Sequence, residues 1–205
     1  MRTLAVLITS TALFLSGCSE APKTTAVKKE EPKKEPEAIT GKNAFFKIYV
    51  TARSWAPDVQ CLNVTSIPLK EVKESPGKYG AWRVTVVSPS KLKKRTYTWS
   101  AVEAEGNLHE GVFPGGEDTY TPSPKSKPFL IAALKTDTDA ALKIAEEKSA
   151  DYMKKNPGMR INYLLELGDK HPNPHWRVIW GDSVGTSGHS VFVDASTGAY
   201  LETRH

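Results

Sequence analysis

The sequence predicts an α+β fold of two small modules, each a helix packed on an antiparallel β-sheet. Three observations carry this reading. The tripeptide Trp-Arg-Val occurs twice, at Trp82–Val84 in "AWRVTVV" and at Trp176–Val178 in "HWRVIWG", 94 residues apart. A strand-like run precedes each copy ("CLNVTSIPLKEV" and "RINYLLEL"), and a hairpin-like pair follows ("RTYTWSAVEAEGNLHEG" and "HSVFVDASTGAYLET"). A helix candidate stands ahead of each set. Agreement in element order is a sturdier mark of duplication than identity. An element with one apolar face must bury it on another, which places one helix on one sheet face in each module.

Taken from the N-terminus, residues 1–17 read as a signal peptide. One cation, Arg2, precedes an apolar run from Leu4 to Leu15, which is shorter than the ~20 residues that span a bilayer. Leu15-Ser16-Gly17-Cys18 resembles the lipobox of bacterial lipoproteins. Small residues at Ser16 and Gly17 let the chain lie extended in a peptidase cleft, and cleavage leaves Cys18 as a lipidated N-terminus. Each buried CH₂ contributes ~0.8 kcal/mol, so a cysteine carrying several acyl chains, palmitate among them, anchors a protein stably. The expected location is the bacterial cell envelope, and Ser19 resembles an outer-membrane sorting signal if that envelope is Gram-negative. Residues 18–42 then form a tether rich in Lys, Glu and Pro, with too little to bury to offset chain entropy.

The first module is expected over residues 43–112. "NAFFKIYVTARSWAP" places Phe45, Ile48, Tyr49, Ala52 and Trp55 on one helix face, though its β-branched and aromatic content would also suit a strand. Residues 113–128 read as a Gly/Pro-rich linker. The second module is expected over 129–205. Its helix, "TDTDAALKIAEEKSADYMKKNPG", opens on capping residues, places Ala141, Ile144, Ala145, Lys148 and Tyr152 at helical spacing, and stops at Pro157-Gly158.

Charge narrows the partners. The chain carries a net +5. Residues 43–128 hold 12 Lys/Arg against 8 Asp/Glu, and residues 129–205 hold 9 against 10. The excess fits anionic lipid or a wall polymer; without an Arg-rich or aromatic nucleic-acid motif, nucleic acid is not expected. The basic run Lys91, Lys93, Lys94 and Arg95 reads as a solvated turn or as an anion-attracting patch. Trp82 and Trp176 match between modules, which favours core packing. Trp99 and Trp180 lack that pairing and, with Lys93, Lys94 and Arg95, are the candidates for a recognition surface. Cys61 reads as a small buried residue, since no histidine lies near it in sequence to activate a thiolate.

The one acid that invites a catalytic reading is Asp194, in "VFVDASTGAYLET". An acid protease needs Asp followed directly by Thr or Ser and Gly, and a second such carboxylate. Here Ala195 and Ser196 intervene before Thr197-Gly198, and there is no second copy. Strand, five-residue corner, strand is the simpler reading: Asp194 accepts from backbone N–H groups two or three residues on, and Gly198 takes a positive φ.

The order helix "ALKIAEEKSAD", strand, "WRVIW", "VFVDASTGAYL" resembles the PepSY domain, whose last hairpin carries an Asp-x-x-Thr-Gly corner. The resemblance covers 136–203. Residues 44–112 look like a diverged copy, with Glu103-Ala104-Glu105-Gly106-Asn107 at the corresponding corner. Tandem modules of this kind are similar to cystatin-like folds. The family is associated with propeptides of secreted metallopeptidases and with envelope proteins. The resemblance therefore implies binding or inhibition without catalysis, and it transfers no site residue.

Other chemistry is thinly signalled. His171 and His175 stand four apart in "HPNPH", but Pro172 and Pro174 forbid the helix that would pair them. "GDSVGTSG" (residues 181–188) lacks the Lys-Ser/Thr and following helix of a phosphate loop, and reads as a hairpin loop. The expectation is a non-catalytic lipoprotein without cofactor. It binds or regulates an extracytoplasmic protein, such as a peptidase, or a wall component. The alternatives are a metal-binding protein using His171, His175 and His189, and a purely structural lipoprotein.

Overall fold

The structure, a computed structural model, describes residues 35–205. The signal segment, Cys18 and the tether up to residue 34 lie outside the described residues.

The chain enters through a two-residue strand, β1 (Ile39–Thr40), and turns directly into α1 (Gly41–Trp55). Thr40 starts the helix because its hydroxyl accepts from the Asn43 N–H. The helical reading of this segment wins over the strand reading because Ala44, Phe45, Ile48 and Ala52 fall on one stripe, and all four are buried. The tether ends earlier than its composition predicts. Ala38 is buried, and β1 pairs with β3 (Lys78–Tyr79), so the folded part begins before residue 43.

Strands β2 (Gln60–Ile67), β4 (Ala81–Ser88), β5 (Lys93–Ser100) and β6 (Gly111–Thr119) follow. After a single 3₁₀ turn, Ile131–Ala133, come α2 (Thr138–Lys148) and α3 (Ala150–Lys155). Strands β7 (Ile161–Glu166), β8 (His175–Trp180), β9 (His189–Asp194) and β10 (Tyr200–Arg204) close the chain. The second helix is interrupted at Ser149, whose hydroxyl sits 2.8 Å from His189 Nε2 in the interior. Lys148 does not lie along the apolar stripe; its ammonium sits over the Tyr200 ring.

The sheet departs from the expectation of separate modules. Eight strands form one antiparallel sheet in the order β10-β9-β8-β7-β2-β4-β5-β6. The first long strand of each half, β2 and β7, pair at its centre through Asn63–Glu166, Val64–Leu165 and Thr65–Leu164. Residues 35–205 accordingly form one compact unit.

The expected linker is also corrected. Residues 111–119 are the edge strand β6, paired with β5 along its length. Pro and Gly read as a loop, but an edge strand needs only one hydrogen-bonded side and tolerates both. Gly115 sits at the bulge opposite Thr96, where an added Cβ would stand 2.8 Å from the Thr96 carbonyl oxygen.

Both helices lie on one face. Across it runs the register row Val84, Val64, Leu165, Trp176 and Val193, part of a single buried cluster. Trp82 and Trp176 meet edge-to-face there, with ring centroids 6.5 Å apart. Gly41 seats the start of α1 against the edges of both indoles.

Candidate binding surface

Strand alternation sends every second side chain to the face without helices. One register row crosses all eight strands there: Phe113, Thr98, Arg83, Thr65, Leu164, Arg177, Phe192 and Glu202. The duplicated Trp-Arg-Val explains its symmetry. In each copy Trp points into the core and Arg points out, so Arg83 and Arg177 stand at equivalent places either side of the β2–β7 seam. Three strand steps separate them, about 14 Å. Arg83 is exposed and has no side-chain partner among the described residues. Arg177 donates from Nε to Ser190 Oγ at 3.1 Å and lies over the Phe192 ring, which Arg204 also covers. A row of Thr and Asn (Thr96, Thr85, Asn63) flanks the seam, each side chain half-buried.

Two clefts open on this face, one at each end of β7. The first, about 330 Å³, is lined by Thr65, Pro68, Asn162, Leu164, Ile179 and Val184. The second, about 250 Å³, is charged, with Lys125, Glu166, Asp169, Lys170, His171, His175 and Arg204 around it. Burial pushes the Glu166 carboxyl above its ordinary range, against the pull of Arg177 and Arg204. Burial, aided by the charge of His171, lowers His175 to about 4, so its ring is neutral at pH 7. Its Nδ1 is buried without a hydrogen-bond partner. Glu202 behaves oppositely: burial would raise it, but donors from Lys170, Arg204 and His171 hold it at about 2.

Asp194 occupies a corner. It is 6 % exposed, and its Oδ1 accepts from the Ser196 and Thr197 N–H groups at 2.8 and 2.9 Å. Its Oδ2 accepts from Asn173 Nδ2 at 3.0 Å. Burial would raise the carboxyl, and these three donors together bring it below its ordinary value. Gly198 has φ +79° and donates to the Asp194 carbonyl, closing the turn.

The predicted recognition residues are dispersed. Trp99 is 8 % exposed and Trp180 is 1 % exposed, so neither indole offers a surface. Both lie on strand positions that face the helices, which an absent repeat partner does not reveal. The basic run splits by alternation. Arg95 turns to the helix side, stacks on Trp55 and reaches Glu117 at 4.0 Å. Lys93 alternates to the same side, while Lys94, opposite Val87, reaches the margin of the helix-free face, where Val87 is buried with Leu62 and Tyr120.

The His171, His175 and His189 set does not converge. His175 pairs with Asp194 and His189 with Trp180, at opposite ends of β8 and β9, about 17 Å apart. His189 instead sits beside Ser149 and 3.2 Å from His205, nitrogen to nitrogen, with Tyr152 stacked on it. This hydroxyl–imidazole–imidazole order has the spacing of a nucleophile and its base. Ser149 and His189 are only 1 % and 2 % exposed, however, so the array packs the α2–α3 break rather than meeting a substrate. Cys61 is buried, and burial raises its thiol well above the ordinary value. Among the described residues no group of three or more His, Cys, Asp or Glu is placed to hold a metal ion, and no helix is long and apolar enough to cross a membrane.

No family model matches the chain, and no curated protein does. Among solved structures it is similar to that of a putative lipoprotein from Clostridium difficile 630, at 11 % identity and a TM-score of 0.44, covering 78 % of this chain and 91 % of that one.

Proposed function

We propose that this chain is a lipid-anchored, non-catalytic envelope protein that grips a partner with the uncovered face of its sheet. The anchor rests on the signal-like run and lipobox ending at Cys18. The grip rests on one observation above all: a side-chain row crosses eight strands with no helix over it among the described residues, and carries an arginine at the equivalent position of each half. Half-buried Thr and Asn supply hydrogen-bonding groups on a rigid backbone, and the Arg177 and Arg204 guanidinium planes, held over the buried Phe192 ring, supply planar donors of the kind found at recognition surfaces. The partner is an extracytoplasmic protein or wall component. The helix-then-four-strands order of 136–203 and the Asp194 corner favour a PepSY-like reading of the second half, with residues 44–112 its diverged copy.

The test is recovery of partners from detergent-solubilised envelopes. The native chain is expected to retain a specific set that Arg83→Glu loses and Lys143→Glu, on the outer side of α2, keeps. An identical set from all three, or no specific set from any, contradicts the reading. Intact mass of the membrane-extracted N-terminus tests the anchor, which an unmodified Met1 would refute.

A further inference from the structure

The outer side of α1 differs from that of any other helix here. Its buried stripe is Ala44, Phe45, Ile48 and Ala52. Directly opposite, one turn apart, Phe46 and Val50 are 43 % and 73 % exposed. At 100° per residue, Lys42 and Arg53 flank them on one side and Lys47 on the other. The helix contains no Asp or Glu. The carboxylates that reach it do so at its two ends, where Asp137 accepts from the Lys42 N–H and Glu117 from Trp55 Nε1. α2 carries Asp139, Glu146 and Glu147 among its lysines and shows no large apolar side chain to solvent.

We propose that the outward face of α1 seats on an anionic lipid bilayer. As in helices that lie in a membrane interface, Phe46 and Val50 enter the headgroup boundary and Lys47 and Arg53 meet lipid phosphates on either side of them, while the Lys42 ammonium is held on the Lys135 carbonyl. The consequence is orientation. α1 and the uncovered sheet face are on opposite sides of the sheet, so a chain seated in this way turns its gripping face away from the bilayer. The inference stands on α1 alone and survives failure of the partner reading.

The test uses the full chain with Cys18→Ser and one environment-sensitive dye, at Val50→Cys or at Lys143→Cys on α2. Buried Cys61 stays unlabelled. Vesicles contain phosphatidylethanolamine with one-quarter phosphatidylglycerol and a brominated quencher lipid, and phosphatidylcholine vesicles are the comparison. Whatever brings the chain to the vesicle, the dye reports which surface touches it. Position 50 should shift blue and quench in the anionic vesicles, position 143 should not, and added salt should reverse the change. Each cation is worth about fivefold in binding, so Lys47→Glu with Arg53→Glu should weaken the position-50 signal by more than tenfold. An unchanged dye at 50, equal responses at 50 and 143, or a concentration-dependent shift at 50 without vesicles (a second copy on this face) would each overturn the proposal.

Discussion

At the residue scale, Asp194 and His175 sit across one strand pair and do opposite things with burial. Asp194 stays charged because three donors replace its water. Asp194→Ala leaves two turn N–H groups without that acceptor and should cost about 2 kcal/mol, read as a lower urea midpoint with no loss of partner recovery. His175 stays neutral because little replaces its water. With a folded pKa of about 4 against an ordinary 6.5, the unfolded chain takes up its proton first as pH falls. Stability should therefore decline from pH 6.5 toward 4, by ~3 kcal/mol once both states are protonated. His175→Gln should flatten that limb of an unfolding-versus-pH profile. The acid limb from Glu202 lies lower, starting near its ordinary 4.5 and complete below its folded value of about 2. Asp194 was legible in the sequence because turn chemistry is local: an acid two and three residues before free N–H groups, then a glycine. Burial of Trp99 and Trp180 was not, because exposure depends on which face of the sheet the helices cover.

At the element scale, the start of α1 is wedged between the halves. A Cβ on Gly41 would stand 2.7 Å from Trp176 Cη2 and 3.1 Å from Trp82 Cη2, two rigid ring edges with nowhere to retreat. Gly41→Ala should destabilise by about 1–3 kcal/mol, visible in thermal unfolding followed by tryptophan fluorescence. Ser149→Ala removes the hydroxyl facing His189 Nε2 in the interior and should cost about 1–2 kcal/mol. Helix periodicity told where α1 and α2 lie, since both bury a stripe. β6 escaped because Pro114, Gly115 and Gly116 look like loop until a neighbouring strand supplies half of the hydrogen bonds.

At the scale of the whole molecule, the halves share one sheet and one core, joined by β2–β7 and by Trp82 against Trp176. Residues 35–205 should therefore unfold in one transition, with far-UV circular dichroism and tryptophan fluorescence superimposing in urea; two separated transitions would mean independent halves. Repetition in the sequence announced the halves, but their merger was hidden, because the pairing of β2 with β7 has no local signature. Merger is what sets Arg83 and Arg177 on one continuous face. The most direct test of that face places a photo-crosslinking benzoylphenylalanine at Arg83, Thr85 or, as a control, Lys143, in cells. Adducts of one common mass from positions 83 and 85, absent from 143, are predicted; adducts only from 143, or none from 83 and 85, would contradict the account.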